Sequence, residues 1–497
     1  MKDIYQEIKN GREVRQNLSS LRQEIKADSI KKSFCDLIQQ DYQIFIDLLD
    51  NEDAKTRKNT ALLLGDLEAQ ESLEQLMEAY DKEPQLFVKS SYLTAISHLN
   101  YEKCLPQLKN KLELLSSMEV SEDNRKHISE EIRELSLMVI ASEGISSHKF
   151  SDGKTFFNIV LLCNRNYREL IYDQLKEEEF VDSSNMKILT AGVSLQTNKV
   201  LPVAKLRTYT ELLFLVKGMK VCPKDPRETA RIIAASHLLE FLESCHTTAA
   251  PFYFRIEIKS KMELDKKSAF AKKTASYLEE FTERKLINSA GNYEVEIRLI
   301  EDKESDLYIM VKLFTLEDHR FEYRKKVTPT SIKPVNAALL VALAKDYMCE
   351  DARVLDPFCG VGTMLIERQM QVKANTSYGI DFMEDAIEGA KENTEAAGQI
   401  IHYIQKDFFD FTHEYLFDEI FTNMPFAIGR KTEEEISDLY ENFFKKAKTH
   451  LVPDGRIIMY THNREYVESM APFYGYKIIQ DFEVNKKEET FLYILEQ

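Results

Sequence analysis

The sequence predicts a multidomain chain in three parts: an all-α repeat region, an α+β layer, and an α/β domain on a parallel sheet. Three observations predict it. The first third shows helical periodicity with almost no glycine or proline. The middle alternates strand-like runs with one basic amphipathic helix, and the last third repeats a strand, turn, helix unit. At 497 residues the chain is long enough for about three separate cores.

In the first part, 1–148, a shift of 32 residues superposes Arg57 on Lys89, Ala61 on Leu93, Leu64 on Ile96, Leu67 on Leu99, Leu73 on Leu105 and Leu76 on Leu108. Asn51 to Arg57 opens the first copy. Paired amphipathic helices at this period read as HEAT-like repeats, which stack into a solenoid because one pair cannot bury its apolar face alone. The acidity of the region favours a protein contact or a purely structural role.

In the second part, 149–330, Phe252 to Ile258 alternates as a strand and Ala269 to Lys285 has the pattern of an amphipathic helix. Tyr293 to Ile300 and Leu307 to Phe314 read as two more strands. A net charge of −17 argues against a nucleic-acid partner, since phosphates call for a basic surface. The charge is uneven, however: between Lys199 and Leu286 there are 17 Lys and Arg against 11 Asp and Glu. Lys266, Lys267, Lys272 and Lys273 form the densest basic patch, and with Lys259 and Lys261 they are candidate phosphate contacts. Helical spacing would set Lys266 and Lys273 along one surface with Lys259 to Lys261. An ordinary solvated helix face accounts for the same pattern equally well.

The third part, 331–497, follows Pro329-Thr-Ser-Ile-Lys-Pro334 and an Ala-rich helix. Arg353 to Leu355 ends a buried strand, Gly360 and Gly362 let the backbone turn tightly against a ligand, and Met364 to Arg368 starts a helix. This is the Rossmann-like arrangement of a nucleoside site. Asp356, Pro357, Phe358, Gly360, Gly362 and Thr363 are its candidate cofactor contacts. Tyr378 to Asp381 ends a second strand in a carboxylate able to accept both ribose hydroxyls, with Phe382 next to it. His402 to Asp407 ends a third strand in an acid that can accept from an adenine amino group, with Phe408 against the ring. Phe417 to Thr422 gives a fourth strand running into Asn423-Met424-Pro425-Phe426. Open α/β sheets bind ligands at such carboxyl ends, although strand-end acids also serve as plain helix caps.

The seven cysteines are dispersed, with no C-x-x-C pair, and read as reduced core residues with no metal site. No apolar run is long enough for a bilayer, and Met1-Lys-Asp-Ile does not open a signal peptide, so a cytoplasmic setting without membrane contact is expected.

Taken together, Asp356-Pro-Phe-Cys-Gly-Val-Gly-Thr363, Gly379-Ile-Asp381 and Asn423-Met-Pro-Phe426 resemble the class I S-adenosylmethionine methyltransferases that act on exocyclic amines. In particular they resemble the guanine-N2 RNA methyltransferases that carry a THUMP domain. The chain matches that family's N-P-P-[FY]-G or N-L-P-F-G loop at Asn423, Pro425 and Phe426, and departs at Met424 and Ala427. The motif resemblance spans roughly 335–497. Upstream, the order of α+β layer, linker and catalytic domain resembles the THUMP arrangement. The resemblance implies S-adenosyl-L-methionine as cofactor and a structured RNA as substrate, with tRNA favoured over rRNA and Arg430 beside the bound strand.

The chemistry accounts for these residue types. Guanine N2 is a poor nucleophile because its lone pair is delocalised into the ring. An Asn423 Oδ1 and a Met424 or Pro425 carbonyl, accepting both amine hydrogens, would favour a pyramidal nitrogen and aim the lone pair. Phe426 would stack on the base, and the methylated amine is acidic enough to lose its proton to water. The same loop would suit adenine N6 in DNA or a protein glutamine. A HEAT-repeat binding module with a vestigial cofactor site is the non-enzymatic alternative.

Overall fold

The computed structural model describes residues 1–497 apart from 118–121, 144–147, 154, 180, 220, 248–250, 290, 302–305 and 427–431. The chain forms two compact units, each discontinuous in sequence: Ser151–Leu215 with Leu316–Gln497, and Met1–Phe150 with Val216–Thr315. The expected middle region therefore contributes to both.

The unit ending at Gln497 is built on seven strands: β1 (Arg353–Asp356), β2 (Thr376–Asp381), β3 (His402–Gln405), β4 (Phe417–Asn423), β5 (Leu451–Thr461), β6 (Lys477–Asn485) and β7 (Thr490–Glu496). Their order is β3-β2-β1-β4-β5-β7-β6. β1 to β5 pair in parallel, and β7 is antiparallel to both β5 and β6. A parallel sheet must be covered on both faces, and the side-chain alternation provides for this. Val354, Phe421 and Ile458 enter one core cluster, while Leu355, Ile420 and Ile457 enter the other. The helices are α1 (Pro334–Ala344), α2 (Thr363–Gln371), α3 (Glu384–Ala396), α4 (Glu433–Ala447) and α5 (Arg464–Phe473). Leu340 of α1 and Leu365 of α2 join the first cluster, and Phe443 of α4 and Val467 of α5 join the second. Strand order reverses between β1 and β4, and it is at such a switch point that a crevice opens at the carboxyl ends.

Two adjacent buried charges on α2 fasten it in different directions. Arg368 Nε lies 2.9 Å from Glu419 Oε1 on β4, and the guanidinium also donates to the carbonyls of Val372 and Cys349. Glu367 accepts from Arg207 Nε at 2.8 Å, Arg207 Nη2 at 2.7 Å and Tyr323 Oη at 2.7 Å. Arg207 precedes Tyr209–Leu215, one of four antiparallel strands in the amino-terminal part of this unit. Their order is Met186–Leu189, Gly192–Thr197, Phe157–Cys163, Tyr209–Leu215. This part also reaches β6: Asn164 Nδ2 donates to the Val484 carbonyl at 2.8 Å, and Asn166 Nδ2 and Tyr167 Oη donate to that of Glu483.

In the other unit the described residues from Met1 to Glu143 form helices and connecting turns without a strand. Helix Ala54–Asp66, the turn Gln70–Ser72 and helix Leu73–Lys82 are each followed, 32 residues later in starting position, by Leu86–Ile96, Glu102–Cys104 and Leu105–Ser117. The apolar residues superposed by that shift, from Ala61 and Leu93 to Leu76 and Leu108, are all buried in one cluster. Gly65 allows the close helix crossing, since a Cβ there would lie 2.6 Å from Ala95 Cα. Arg57 joins the repeat through Glu83 at 2.7 Å. No described helix is long and apolar enough to cross a membrane.

The α+β portion carries strands in the order Leu286–Asn288, Phe252–Lys259, Val295–Glu301, Leu307–Leu313, with only the last antiparallel to its neighbour. Its helix, expected over Ala269–Lys285, spans Leu264–Phe281. The polar first turn hid the start from apolar periodicity, and Glu283 and Arg284 take left-handed φ of 52° and 63°, which ends the helix early. His148, closing the helical region, pairs with Glu294 at 2.7 Å and stacks on Phe252 with ring centroids 4.2 Å apart.

Candidate active site

At the carboxyl ends of β1, β2 and β4 lies a cavity of about 390 Å³, within the range of small-molecule sites. Pro357, Phe358, Gly360, Thr363, Asp381, Phe382, Asp407, Phe408, Asn423, Pro425 and Phe426 all line it. Four chain segments predicted separately thus converge on one space.

Asp356 and Gly362 do not line the cavity; they lie beneath it. The Asp356 carboxylate is fully buried, with Oδ1 accepting from Thr422 Oγ1 at 2.6 Å and from the Phe358 N–H at 3.1 Å. Burial pushes its carboxyl up to about 7, against the lowering effect of those two hydrogen bonds. Its place is structural: it ties the glycine turn to β4, the strand that delivers Asn423. Gly362 has φ of 81°, and a Cβ there would meet Tyr403 Oη at 2.3 Å. Gly360 serves differently, since its φ of 51° suits glycine while the space beside it is open.

Asp381 is fixed by the turn it serves. Its Oδ2 accepts from the Gly360 N–H at 3.0 Å and its Oδ1 from the Met383 N–H at 2.9 Å. Each carboxylate oxygen has two lone pairs, so each keeps one for a diol. Phe382 is 71% exposed in the wall. Asp407 accepts from the Phe409 N–H at 2.9 Å and so caps the turn Phe408–Asp410 while lining the cavity. Phe408, expected against a bound ring, is 2% exposed and packs on Phe358 and Phe443, so it backs the wall instead of offering a free face.

The cavity has room for a polar ligand group at the start of α2. Thr363 opens that helix and is 3% exposed, and among the described residues its hydroxyl finds no partner. A buried hydroxyl left unpaired in a cavity wall, beside free helix N–H groups, accommodates an anionic or hydrogen-bonding end of a ligand.

Asn423 is the last residue of β4, and among the described residues its amide makes no hydrogen bond. The loop beyond is anchored by Met424, which is buried and donates its N–H to the Tyr460 carbonyl at 2.9 Å. Phe426 lies against His462 with ring centroids 4.3 Å apart and planes 32° apart, an aromatic contact that no motif marks. Ala427 and Arg430 lie outside the described residues.

The structure adds wall residues that carry no motif: Thr328, Thr330, Ser331 and Ile332 from the segment before α1, and Leu439 from α4. The only available signal was a polar Thr-Pro-Thr-Ser run, which reads as a linker.

The six candidate lysines lie in the other unit. Lys259, Lys261 and Lys267 line an open groove there together with Glu257 and Glu301. Lys267 takes the place expected for Lys266 and Lys273, because the groove meets the first turns of the helix on the side that Lys267 and Ala271 share. Lys266 instead pairs with Glu263 at 2.9 Å, and Lys272 and Lys273 are exposed outside the groove. Lys259 is paired with Glu257 at 2.7 Å.

A protein-family profile described as RMKL-like, methyltransferase domain matches residues 322–489. Among curated proteins, the tRNA (guanine(10)-N2)-dimethyltransferase of Methanothermobacter thermautotrophicus is 32% identical over 133 residues, 26% of this chain and 38% of the relative. That of Pyrococcus abyssi is 28% identical over 199 residues, 38% of this chain and 59% of the relative. The tRNA (guanine(6)-N2)-methyltransferase of Archaeoglobus fulgidus is 26% identical over 215 residues, 37% of this chain and 53% of the relative. The chain therefore spans less than two thirds of the length of each. Among solved structures, TrmN from Thermus thermophilus matches with a TM-score of 0.52 and 18% identity over 69% of this chain and 99% of its own. A predicted N6-adenine-specific DNA methylase from Listeria monocytogenes matches with the same TM-score and identity over 69% of this chain and 97% of its own. At these identities the structural matches show a shared fold.

Proposed function

We propose that this chain transfers a methyl group from S-adenosyl-L-methionine to the exocyclic N2 of a guanosine in a structured RNA, with tRNA favoured. The observation that carries the reading is convergence: one cavity holds the glycine turn, Asp381, Asp407 and an amide-bearing loop ending in Pro425 and Phe426. The curated relatives named for tRNA guanine-N2 methylation support the choice of base over adenine.

The bound cofactor supplies an electrophilic methyl on a cationic sulfur. Asp381, with a lone pair left on each oxygen, would hold the ribose, and Asp407 the adenine amino group. The α2 N-terminus with Thr363 would take the amino-acid end. Asn423 Oδ1 and a neighbouring main-chain carbonyl would accept the two hydrogens of the target amine, aim its lone pair and stabilise the charge developing on nitrogen. Phe426, braced by His462, would offer its other face to the base; such stacking contributes about 1–3 kcal/mol in single-stranded recognition. The proton of the methylated amine then leaves to water. Domain roles belong to the same proposal: HEAT-like helices over 1–148 that contact a protein or serve the fold, a THUMP-like region over 149–330 that grips RNA, and a catalytic domain over 331–497, in a cytoplasmic setting.

Incubation with labelled S-adenosylmethionine and total RNA from cells lacking the gene, followed by nucleoside analysis of separated tRNA and rRNA, tests the reading. Label is expected in N2-methylguanosine. Asn423→Ala should lower turnover by roughly 10²–10³, as removal of one preorganised polar contact does, while retaining cofactor affinity. Loss of both would contradict its assigned role. Label in rRNA alone would change the substrate class, and label in no RNA would move the assignment to a DNA or protein amine.

A further inference from the structure

The segment Arg324–Lys333 carries four cations and no acid in a chain of net charge −17. Its central residues Thr328, Thr330, Ser331 and Ile332 form one wall of the cavity, so Lys325 and Lys326 on one side and Lys333 on the other bracket that wall in sequence. The backbone here is fixed. Asn393 of α3 reads Lys326 from both sides, its Oδ1 accepting from the Lys326 N–H at 2.8 Å and its Nδ2 donating to the Lys326 carbonyl at 3.0 Å. The Thr328 N–H donates to Ser331 Oγ at 2.8 Å, and Arg324 Nη2 donates to the Ile332 carbonyl at 3.2 Å.

The side chains left over point to a ligand. Lys325 and Lys333 are exposed and form no ion pair among the described residues, and Lys326 Nζ is 3.6 Å from Glu392 Oε2, a loose surface contact. Val327, between them, is 61% exposed. A wall segment whose backbone is held while Lys325 and Lys333 are left unpaired among the described residues differs from the stretch of the other unit's groove where Lys259 is already neutralised by Glu257. A nucleoside whose base enters the cavity must leave its own phosphates at the mouth, because the charged backbone gains nothing from burial.

We propose that Lys325, Lys326 and Lys333 form a phosphate-binding rim that holds the RNA strand on both sides of the extruded target nucleoside, with Val327 against a neighbouring ribose or base. This rests on the reading that the cavity takes an RNA nucleotide. The rim supplies register, since phosphate contacts position a strand without reading its sequence.

The test is a triple variant, K325A/K326A/K333A, measured for tRNA binding as a function of salt and for methyl transfer. Each lost phosphate contact reduces the slope of log K against log salt by about 0.7–0.9, so a reduction of roughly two to three is expected, with affinity near 0.15 M salt falling by about ten- to hundredfold. Transfer should suffer in KM and recover at saturating tRNA, while cofactor affinity and the unfolding midpoint stay at wild-type values. The triple Lys→Arg variant should keep the wild-type slope. A triple-alanine variant that methylates tRNA with unchanged KM and salt slope would overturn the rim alone. A wild-type protein that methylates no RNA would overturn the functional reading and the rim with it.

Discussion

Gly362 and Asp356 never touch the cavity, yet each sets the shape of its floor. An alanine at 362 faces two costs: a left-handed backbone, about 1–2 kcal/mol for a residue with a Cβ, and a methyl 2.3 Å from Tyr403 Oη. Overpacking of that kind adds about 1–3 kcal/mol. Gly362→Ala should therefore lower the thermal unfolding midpoint and weaken cofactor binding. Adding Tyr403→Phe should recover part of the loss, because the nearest atom disappears and the ring carbon at 3.1 Å remains. An unchanged midpoint in the single variant would refute the packing argument. Asp356 predicts a pH effect with a definite sign. Its folded value of about 7 exceeds the ordinary carboxyl value of about 3.9, so the folded state holds the proton more tightly. Its contribution to stability is fully present below pH 4, is lost as pH rises toward 7, and changes no further above that. Asp356→Asn keeps an oxygen to accept from Thr422 and Phe358 but cannot ionise. Denaturant unfolding from pH 4.5 to 8 should show the variant gaining on the parent across that window; parallel profiles would reject the assignment.

At the scale of elements, α2 matters most, because it begins in the cavity wall at Thr363 and one turn later is gripped by groups from distant sequence. Glu367 has no exposed surface and depends on Arg207 and Tyr323. Removing one partner of such a pair leaves a buried charge, which costs about 3–5 kcal/mol. Arg207→Ala should destabilise by that amount and reduce cofactor affinity, and Arg207→Ala with Glu367→Gln should recover part of both, as followed by denaturant melts and cofactor titration. This pair also shows where the sequence stopped being legible. The strands ending at Asp356, Asp381 and Asn423 were readable because their acids, glycines and amide fall within a few residues of each strand end. The 32-residue helical period was readable because repeats compare a chain with itself. The contributions of Arg207 and of Thr328 to Ile332 were not, since a single arginine 160 residues upstream and a polar run carry no local pattern. Among the candidate lysines, that Lys267 and not Lys266 or Lys273 meets the groove was not legible, because apolar periodicity does not mark where a polar first turn begins.

For the whole molecule, the consequence is that the unit holding the cavity is not a contiguous piece of chain. Residues 322–489 match a methyltransferase profile, yet the compact unit also includes Ser151–Leu215. Arg207 from that stretch neutralises Glu367, and Asn164, Asn166 and Tyr167 satisfy the carbonyls of Glu483 and Val484 on β6. A fragment 322–497 would keep every residue of the cavity wall but expose those carbonyls and leave Glu367 without its cation. It should unfold at lower denaturant than the same unit in the full chain and bind cofactor more weakly. One substitution turns this into a test of sign. In the full chain, Glu367→Gln discards the charge that Arg207 pairs with and should destabilise. In the fragment, where no Arg207 exists, the same change removes a charge that only the Tyr323 hydroxyl meets and should stabilise. Melting both proteins with and without Glu367→Gln measures four midpoints, and an effect of the same sign in both backgrounds would mean that the amino-terminal stretch does not support α2.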